Sequence, residues 1–272
     1  MKCERIPLGA QGAYLDTYFL ADSPELKAGA CRPAVVVCPG GGYAYTSDRE
    51  AEPIALALCA RGFHACVLRY PCAPARFPAA LRALAEAVAW VRAGAAENHV
   101  DPRQISVCGF SAGGHLAGSL GVFWNAPFLA AETGLAPQDM RPDKMVLCYP
   151  VITGGEFAHK GSFDNLLGAD ADAARRAEVS LEQHVTQDTP PAFLWHTYTD
   201  PGVPVENTML FAMALRRAGV PFESHIYSVG GHGLGGSGRR LAAPLTYSAA
   251  RCIKKRAGTG ASGRKYLCRS SM

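Results

Sequence analysis

The sequence predicts an α/β protein whose central sheet is mostly parallel and is covered by helices on both faces. Short runs of apolar, often β-branched residues recur along the chain, and segments with helical apolar spacing separate most of them. This alternation is typical of parallel sheets, because each crossover helix returns the chain to the same end of the sheet. The runs occupy residues 34–38, 64–69, 105–109, 145–149, 192–196 and 222–228.

Crossover helices are expected between these strands, at residues 49–60, 78–93, 112–123 and 204–218. The last of them has Pro204 in its first turn and is followed by Gly219, and these residues favour the start and the end of a helix. Residues 14–20 are predicted to add an antiparallel strand at the edge of the sheet.

A long segment, residues 151–191, interrupts this pattern. It is rich in Gly, Asp and Ala, has no clean periodicity, and separates two predicted strands by far more than a usual connection. Long connections often carry binding residues or cover a site. We therefore expect an inserted cap or lid that forms the wall of a pocket.

The length of 272 residues predicts one main core, which we assign to residues 1–235. Residues 236–272 are predicted to form a basic C-terminal segment that is poorly ordered. Of the 27 Lys and Arg residues, nine lie between Gly235 and Met272, where there is no Asp or Glu. This segment has neither interleaved aromatic residues nor a binding motif, so it predicts no nucleic-acid partner.

No membrane span is predicted. The longest apolar stretch, residues 79–96, carries Arg82, Glu86 and Arg92 at helical spacing, which indicates an amphipathic surface helix. Residues 1–13 lack the continuous apolar segment of a secretory signal, so a cytoplasmic protein is expected.

The chain has ten cysteines, but no C-x-x-C pair and no His/Cys spacing typical of a metal site. Those at positions 38, 66, 108 and 148 fall within predicted strands, where a free cysteine behaves as a small hydrophobic residue. No metal is therefore expected.

Ser111 is the candidate nucleophile, because it is the centre of a G-x-S-x-G motif that runs from Gly109 to Gly113. The motif lies directly after a predicted strand and before a predicted helix. That context is the one in which a sharp turn exposes a serine at the carboxyl end of a sheet. The alternative is a glycine-rich turn with a serine that only caps the helix.

A glycine loop at residues 39–43, after the first predicted parallel strand, could stabilise negative charge on a substrate oxygen. Glycines let backbone N–H groups approach a substrate without a Cβ collision. The expected donors are the N–H groups of Gly41, Gly42 and Ala112. The loop lacks the spacing of the nucleotide-binding glycine motifs, which disfavours a phosphate site.

His232 and Asp200 are the candidate base and acid. His232 follows the last predicted strand, and Asp200 lies just beyond the strand at 192–196. An imidazole there can accept the serine proton, and a carboxylate can hold the imidazole in the required tautomer. Asp200 could instead be a simple turn former, since Asp-Pro-Gly is common turn chemistry. His115 is predicted to pack behind the site, and His196 is predicted to be structural.

The order Ser111, Asp200, His232 is the order of the α/β-hydrolase fold. The chain also resembles bacterial esterases related to hormone-sensitive lipase, in the acetyl-esterase branch that includes feruloyl and acetylxylan esterases. The likeness covers residues 15–235. It lies in the stretches VCPGGGY at 37–43, REAEPIA at 49–55, CGFSAGGHL at 108–116, HVTQDTPP at 184–191 and VPVEN at 203–207.

This resemblance implies a serine esterase that acts through an acyl-enzyme on short acyl esters, often acetyl groups on sugars, without a cofactor. The implied partner is therefore a small ester, with no membrane partner, and the oligomeric state is left open. Two features depart from the family pattern: Pro39 replaces a common histidine, and no amphipathic helix is recognisable after Gly235. The alternatives are an arylformamidase or another amide or ester hydrolase, and a catalytically silent binding protein of the same fold.

Overall fold

The computed structural model describes residues 1–9 and 11–235, without the side chains of Leu26 and Lys27. The predicted basic segment at 236–272 lies outside the described residues. The strands are β1 (Lys2–Pro7), β2 (Tyr14–Phe19), β3 (Arg32–Cys38), β4 (His64–Arg69), β5 (Val100–Phe110), β6 (Lys144–Cys148), β7 (Ala192–Thr197) and β8 (Phe222–Tyr227).

The helices of the described residues are α1 (Pro24–Lys27), α2 (Glu52–Cys59), α3 (Ala79–Ala93), α4 (Ala112–Phe123), α5 (Pro127–Thr133), α6 (Pro137–Met140), α7 (Lys160–Leu167), α8 (Ala173–Ala177) and α9 (Glu206–Arg217). Two 3₁₀ turns, Asp48–Glu50 and Leu181–Gln183, complete the elements. None of these helices is long and apolar enough to cross a membrane.

The strands form one eight-stranded sheet in the order β1-β2-β4-β3-β5-β6-β7-β8. All pairs from β4 through β8 are parallel, and only β1 with β2 and β2 with β4 are antiparallel. The predicted fold class is therefore confirmed.

The predicted place of the antiparallel strand at 14–20 was wrong. That strand exists as β2, but β1 lies outside it and forms the edge. β1 is charged and mostly exposed, so it has no apolar run that would mark it in the sequence. A cross-strand ion pair supports its register, in which Arg5 lies opposite Asp16 with 2.8 Å between Nε and Oδ1.

The central strands are buried on both faces of the sheet, which explains why they read as apolar runs. In β3, alternate residues enter two separate cores: Val36 packs in one and Val37 in the other. The first core includes residues of α3, α4 and α9, and the second includes residues of α2. Burial raises the pKa of the thiols of Cys38 and Cys66, which suits packing residues rather than reactive ones.

Helix α4 is enclosed on all sides, since every residue from Ala112 to Phe123 is buried. Small residues recur along it and permit close approach to β5 and β6, which are its main sheet contacts. The helix therefore holds the residues at its first turn in a fixed position.

One buried hydroxyl on β5 makes no hydrogen bond to the described residues. Ser106 is fully buried and its Oγ has no partner. A hydroxyl buried in this way costs about 1–3 kcal/mol, so we expect Ser106→Ala to raise the free energy of unfolding by about 1 kcal/mol. Thermal unfolding would measure this, with Ser119→Ala as the contrast.

The hydroxyl of Ser119 is also buried, but it donates to the carbonyl of His115 over 2.8 Å. Ser119→Ala should therefore lower the free energy of unfolding, by about 1 kcal/mol. A loss of stability in Ser106→Ala equal to that in Ser119→Ala would contradict the expectation.

Candidate active site

Ser111 forms a strained turn between β5 and α4. Its φ is 54°, in the left-handed region that residues other than glycine seldom adopt. The Ser111 N–H donates to the Cys148 carbonyl over 3.0 Å, and the Ser111 carbonyl accepts from Val151 N–H over 3.0 Å. These bonds to the end of β6 hold the turn in place.

The glycines of the motif are required by close contacts of the backbone. A Cβ on Gly109 would lie 2.0 Å from the Gly113 carbonyl oxygen. A Cβ on Gly113 would lie 2.1 Å from the Cys38 carbonyl oxygen. Both distances are far inside van der Waals contact, so side chains are excluded on either side of Ser111 and the chain can bend sharply there.

The glycine loop lies against this turn. A Cβ on Gly40 would come within 3.0 Å of the Cβ of Ser111. Gly41 and Gly42 both have positive φ, at 130° and 64°. Their N–H groups and that of Ala112 make no hydrogen bond to any part of the chain that the structure describes. They are thus available to a bound oxygen, as the sequence predicts for the three residues.

The structure brings Ser111, His232 and Asp200 together in one hydrogen-bonded series. His232 Nε2 lies 2.8 Å from Ser111 Oγ, and His232 Nδ1 lies 2.7 Å from Asp200 Oδ2. Because a carboxylate only accepts, His232 carries its proton on Nδ1, which leaves Nε2 to accept from the serine hydroxyl. This arrangement can remove the Ser111 proton.

The carboxylate of Asp200 is fully buried and both of its oxygens accept hydrogen bonds. Oδ1 accepts from the N–H groups of Gly202 and Val203 over 2.8 and 3.0 Å. Burial by itself would raise the pKa of Asp200, but the hydrogen bonds from His196, His232 and Val203 outweigh it and lower that pKa. Asp200 is therefore a charged carboxylate, which can accept the hydrogen bond from His232 Nδ1.

His196 is a supporting residue that the sequence interpretation missed. It was predicted to be structural within a strand, and it is indeed fully buried in β7. Its Nε2 lies 3.0 Å from the Val203 carbonyl and 3.3 Å from Asp200 Oδ2, so Nε2 carries the proton and donates. Nδ1 then accepts from the Thr208 hydroxyl over 2.8 Å. Sequence periodicity gave no signal for this role.

His115 ties the site to the segment at 151–191. Its Nδ1 lies 2.8 Å from the hydroxyl of Tyr43, in the glycine loop, and its Nε2 lies 2.8 Å from the Val179 carbonyl. Burial lowers the pKa of His115 to about 4, so the ring is neutral at pH 7. Nε2 donates to Val179 and Nδ1 accepts from Tyr43, so the buried ring links the glycine loop to this segment.

Helix α7, within residues 151–191, lies beside the glycine loop. Asn165 Nδ2 donates to the Gly42 carbonyl over 2.9 Å. His159 precedes the helix, and burial, followed by repulsion from His232, lowers the pKa of His159. Two polar residues of this segment thus lie near the site: Asn165 beside the glycine loop and His159 near His232.

Two more residues that the sequence interpretation did not single out lie under the site. Glu50 is 3% exposed, and its Oε2 accepts from Gly40 N–H over 2.8 Å. Its Oε1 accepts from the hydroxyl of Tyr149, the residue after β6, over 2.6 Å. The Gly40 N–H is therefore already occupied, unlike those of the next two glycines.

The chain is similar to several known proteins. The sequence matches the family described as BD-FAE over residues 21–215. A crystal structure of an acetyl ester-xyloside bifunctional hydrolase from Caldicellulosiruptor lactoaceticus is 38% identical, with a TM-score of 0.81 over 92% of this chain and 95% of that one. The chain is similar to this hydrolase along nearly the whole length of both.

Two curated relatives are much longer than this chain. The endo-1,4-beta-xylanase B of Butyrivibrio fibrisolvens is 38% identical over 75% of this chain, but the match covers 32% of the relative. The acetylxylan esterase of Xylanibacter ruminicola is 30% identical over 80% of this chain and 43% of the relative. The match thus covers less than half the length of each of these two relatives.

Proposed function

This chain belongs to the BD-FAE family of α/β hydrolases, and on that basis we propose that it is a serine esterase that hydrolyses short acyl esters, including acetyl groups on sugars. The observation that carries the proposal is the hydrogen-bonded series from Ser111 through His232 to Asp200. The names of the relatives, among them an acetylxylan esterase and an acetyl ester-xyloside hydrolase, support an acetylated carbohydrate as substrate.

In the proposed reaction, Ser111 Oγ attacks the ester carbonyl carbon while His232 Nε2 takes the hydroxyl proton. Negative charge then develops on the carbonyl oxygen. The backbone N–H groups of Gly41, Gly42 and Ala112 would donate to it.

The tetrahedral intermediate collapses when the imidazolium of His232 gives its proton to the leaving alcohol, which leaves the acyl group on Ser111. A water molecule then attacks the acyl carbon, with His232 as base, and the carboxylic acid is released from Ser111. Asp200 remains charged throughout and holds His232 in the orientation and tautomer that both steps need. No cofactor enters either step.

A panel of substrates tests the proposal and separates it from its alternatives. We expect hydrolysis of p-nitrophenyl acetate and release of acetate from acetylated xylo-oligosaccharides. An arylformamidase would instead prefer an aryl formamide by kcat/KM, and a silent binding protein would turn over none of these. The panel includes wild type and Ser111→Ala, so that a contaminating esterase is recognised.

We expect the acyl preference to be for acetyl to butyryl esters, with a steep fall in kcat/KM beyond about six carbons. The support is the insertion at 151–191, whose α7 is bonded to the glycine loop. In a confined cleft an added methylene that fits gains at most about 0.8 kcal/mol. One that forces overpacking costs about 1–3 kcal/mol.

The measurement is kcat/KM over p-nitrophenyl esters from acetyl to octanoyl at fixed pH, with background hydrolysis subtracted. A steady rise out to octanoyl would contradict the expectation. It would indicate an open apolar groove and a lipase-like carboxylesterase.

A further inference from the structure

A buried carboxylate, with no ion-pair partner among the described residues, lies under the proposed active site. Glu50 makes no ion pair with the described residues, although burying a charge is costly unless donors replace the water. Its donors are one backbone N–H, from Gly40, and one hydroxyl, from Tyr149. A costly group of this kind, with both oxygens used, suggests a role beyond packing.

The hydrogen bonds continue from this carboxylate to the loop that carries His232. The hydroxyl of Tyr149 donates to Glu50 and also accepts from Gly235 N–H over 2.8 Å. Burial, followed by the negative charge of Glu50, raises the pKa of Tyr149, so the phenol keeps the proton that it donates. Two side chains thus join Gly40, at the start of the glycine loop, to Gly235, three residues after His232.

The ring of Tyr149 also contacts the imidazole of His232. The two ring centroids are 5.1 Å apart and the planes are inclined at 70°, so the imidazole stands edge to face against the phenol. Tyr149 directly follows Cys148, whose carbonyl accepts from Ser111 N–H. Tyr149 therefore contacts His232, follows the residue that binds the Ser111 backbone, and donates a hydrogen bond to Glu50.

We infer that Glu50 and Tyr149 form a positioning pair that fixes the glycine loop, the Ser111 turn and the His232 loop at their working distances. The inference rests on the proposed esterase function. Neither residue would contact substrate; each acts through Gly40, Gly235 and His232. A misplacement of about 1 Å can cost on the order of 100-fold in rate, so such a pair has a measurable effect on turnover.

Tyr149→Phe is the sharpest test, because it deletes one oxygen and keeps the ring against His232. Glu50→Gln is the complementary change, since one carboxylate oxygen becomes an amide nitrogen that cannot accept from its former donor. For p-nitrophenyl acetate we expect each variant to lose about 10- to 100-fold in kcat, with KM within about twofold of wild type.

The double variant shows whether the two residues act as one unit. If they do, Tyr149→Phe combined with Glu50→Gln costs about as much kcat as the worse single variant. Two losses that multiply would overturn the pair, because they would mean independent effects.

The chain offers a matched control pair at the surface. The hydroxyl of Tyr18 lies 3.5 Å from the carboxylate of Glu52, in an exposed place on α2 and β2. Tyr18→Phe and Glu52→Gln make the same chemical changes there, and both should keep kcat within about twofold of wild type. Ser111→Ala, measured in the same assay, tests the proposed function separately.

If Ser111→Ala is inactive while Tyr149→Phe keeps wild-type kcat, the esterase proposal stands and the positioning pair is overturned. If Ser111→Ala retains activity, the esterase mechanism itself fails. Thermal unfolding and circular dichroism accompany each variant. Should Glu50→Gln fail to fold, the split between kcat and KM in Tyr149→Phe decides alone.

Discussion

Ser111→Ala should abolish ester hydrolysis, with a loss in kcat of about 10⁴- to 10⁶-fold, while the protein stays folded. The change removes the attacking oxygen but neither the N–H groups of the glycine loop nor the helix behind it. The measurement is kcat on p-nitrophenyl acetate, together with labelling by a fluorophosphonate probe. We expect the probe to label Ser111 in wild type and nothing in the variant.

Ser106→Ala is the matched control, because it removes a buried hydroxyl from the same strand, β5, away from the site. It should keep wild-type kcat and full labelling. Turnover near wild type in purified Ser111→Ala protein would disprove the mechanism. So would strong labelling of another serine.

Asp200→Asn should lower kcat by about 10⁴-fold with little change in the backbone. An asparagine can point its amide N–H₂ group at His232 Nδ1, which then becomes an acceptor and moves the ring proton to Nε2. In that tautomer the imidazole cannot take the proton of Ser111. The assay is kcat on p-nitrophenyl acetate, and the control is Asp188→Asn, which changes an exposed carboxylate and should have no effect.

The lowered pKa of Asp200 determines how this residue makes the stability of the protein depend on pH. Since its pKa is lowered in the folded protein, its stabilising charge is present above the ordinary value of 3.8 and is lost only as the pH falls through the lower, folded value. Asp200→Asn should therefore be less stable than wild type at neutral pH.

An Asp200→Asn protein that keeps kcat within tenfold of wild type would remove Asp200 from the mechanism.

Much of the fold was predictable because buried parallel strands carry a strong local signal. The strands from β3 to β7 overlap the predicted apolar runs, but β5 begins at Val100, five residues before its run, in a polar and partly exposed stretch that carries no apolar signal. β1 was missed because it is charged and exposed, and its pairing with β2 depends on cross-strand contacts that no local pattern encodes.

The candidate site shows the same division between local and distant signals. Ser111 has a motif, and Asp200 and His232 have positions just after strands, so all three were found in the sequence. Glu50 and Tyr149 are 99 residues apart, and only the folded chain shows that their side chains meet. Hydrogen-bond partners of this kind depend on tertiary structure, which periodicity does not report.

The complete burial of α4 divides the candidate site into parts of unequal local stability. Amide protons of a helix with no exposed residue exchange with solvent only when much of the protein opens, whereas loop amides exchange through small, frequent fluctuations. Ser111 directly precedes the buried helix α4, whereas His232 and the glycines of the glycine loop lie in loops. Local fluctuations of the native state would therefore withdraw His232 and the N–H groups of Gly41 and Gly42, while Ser111 and the N–H group of Ala112 stay in place.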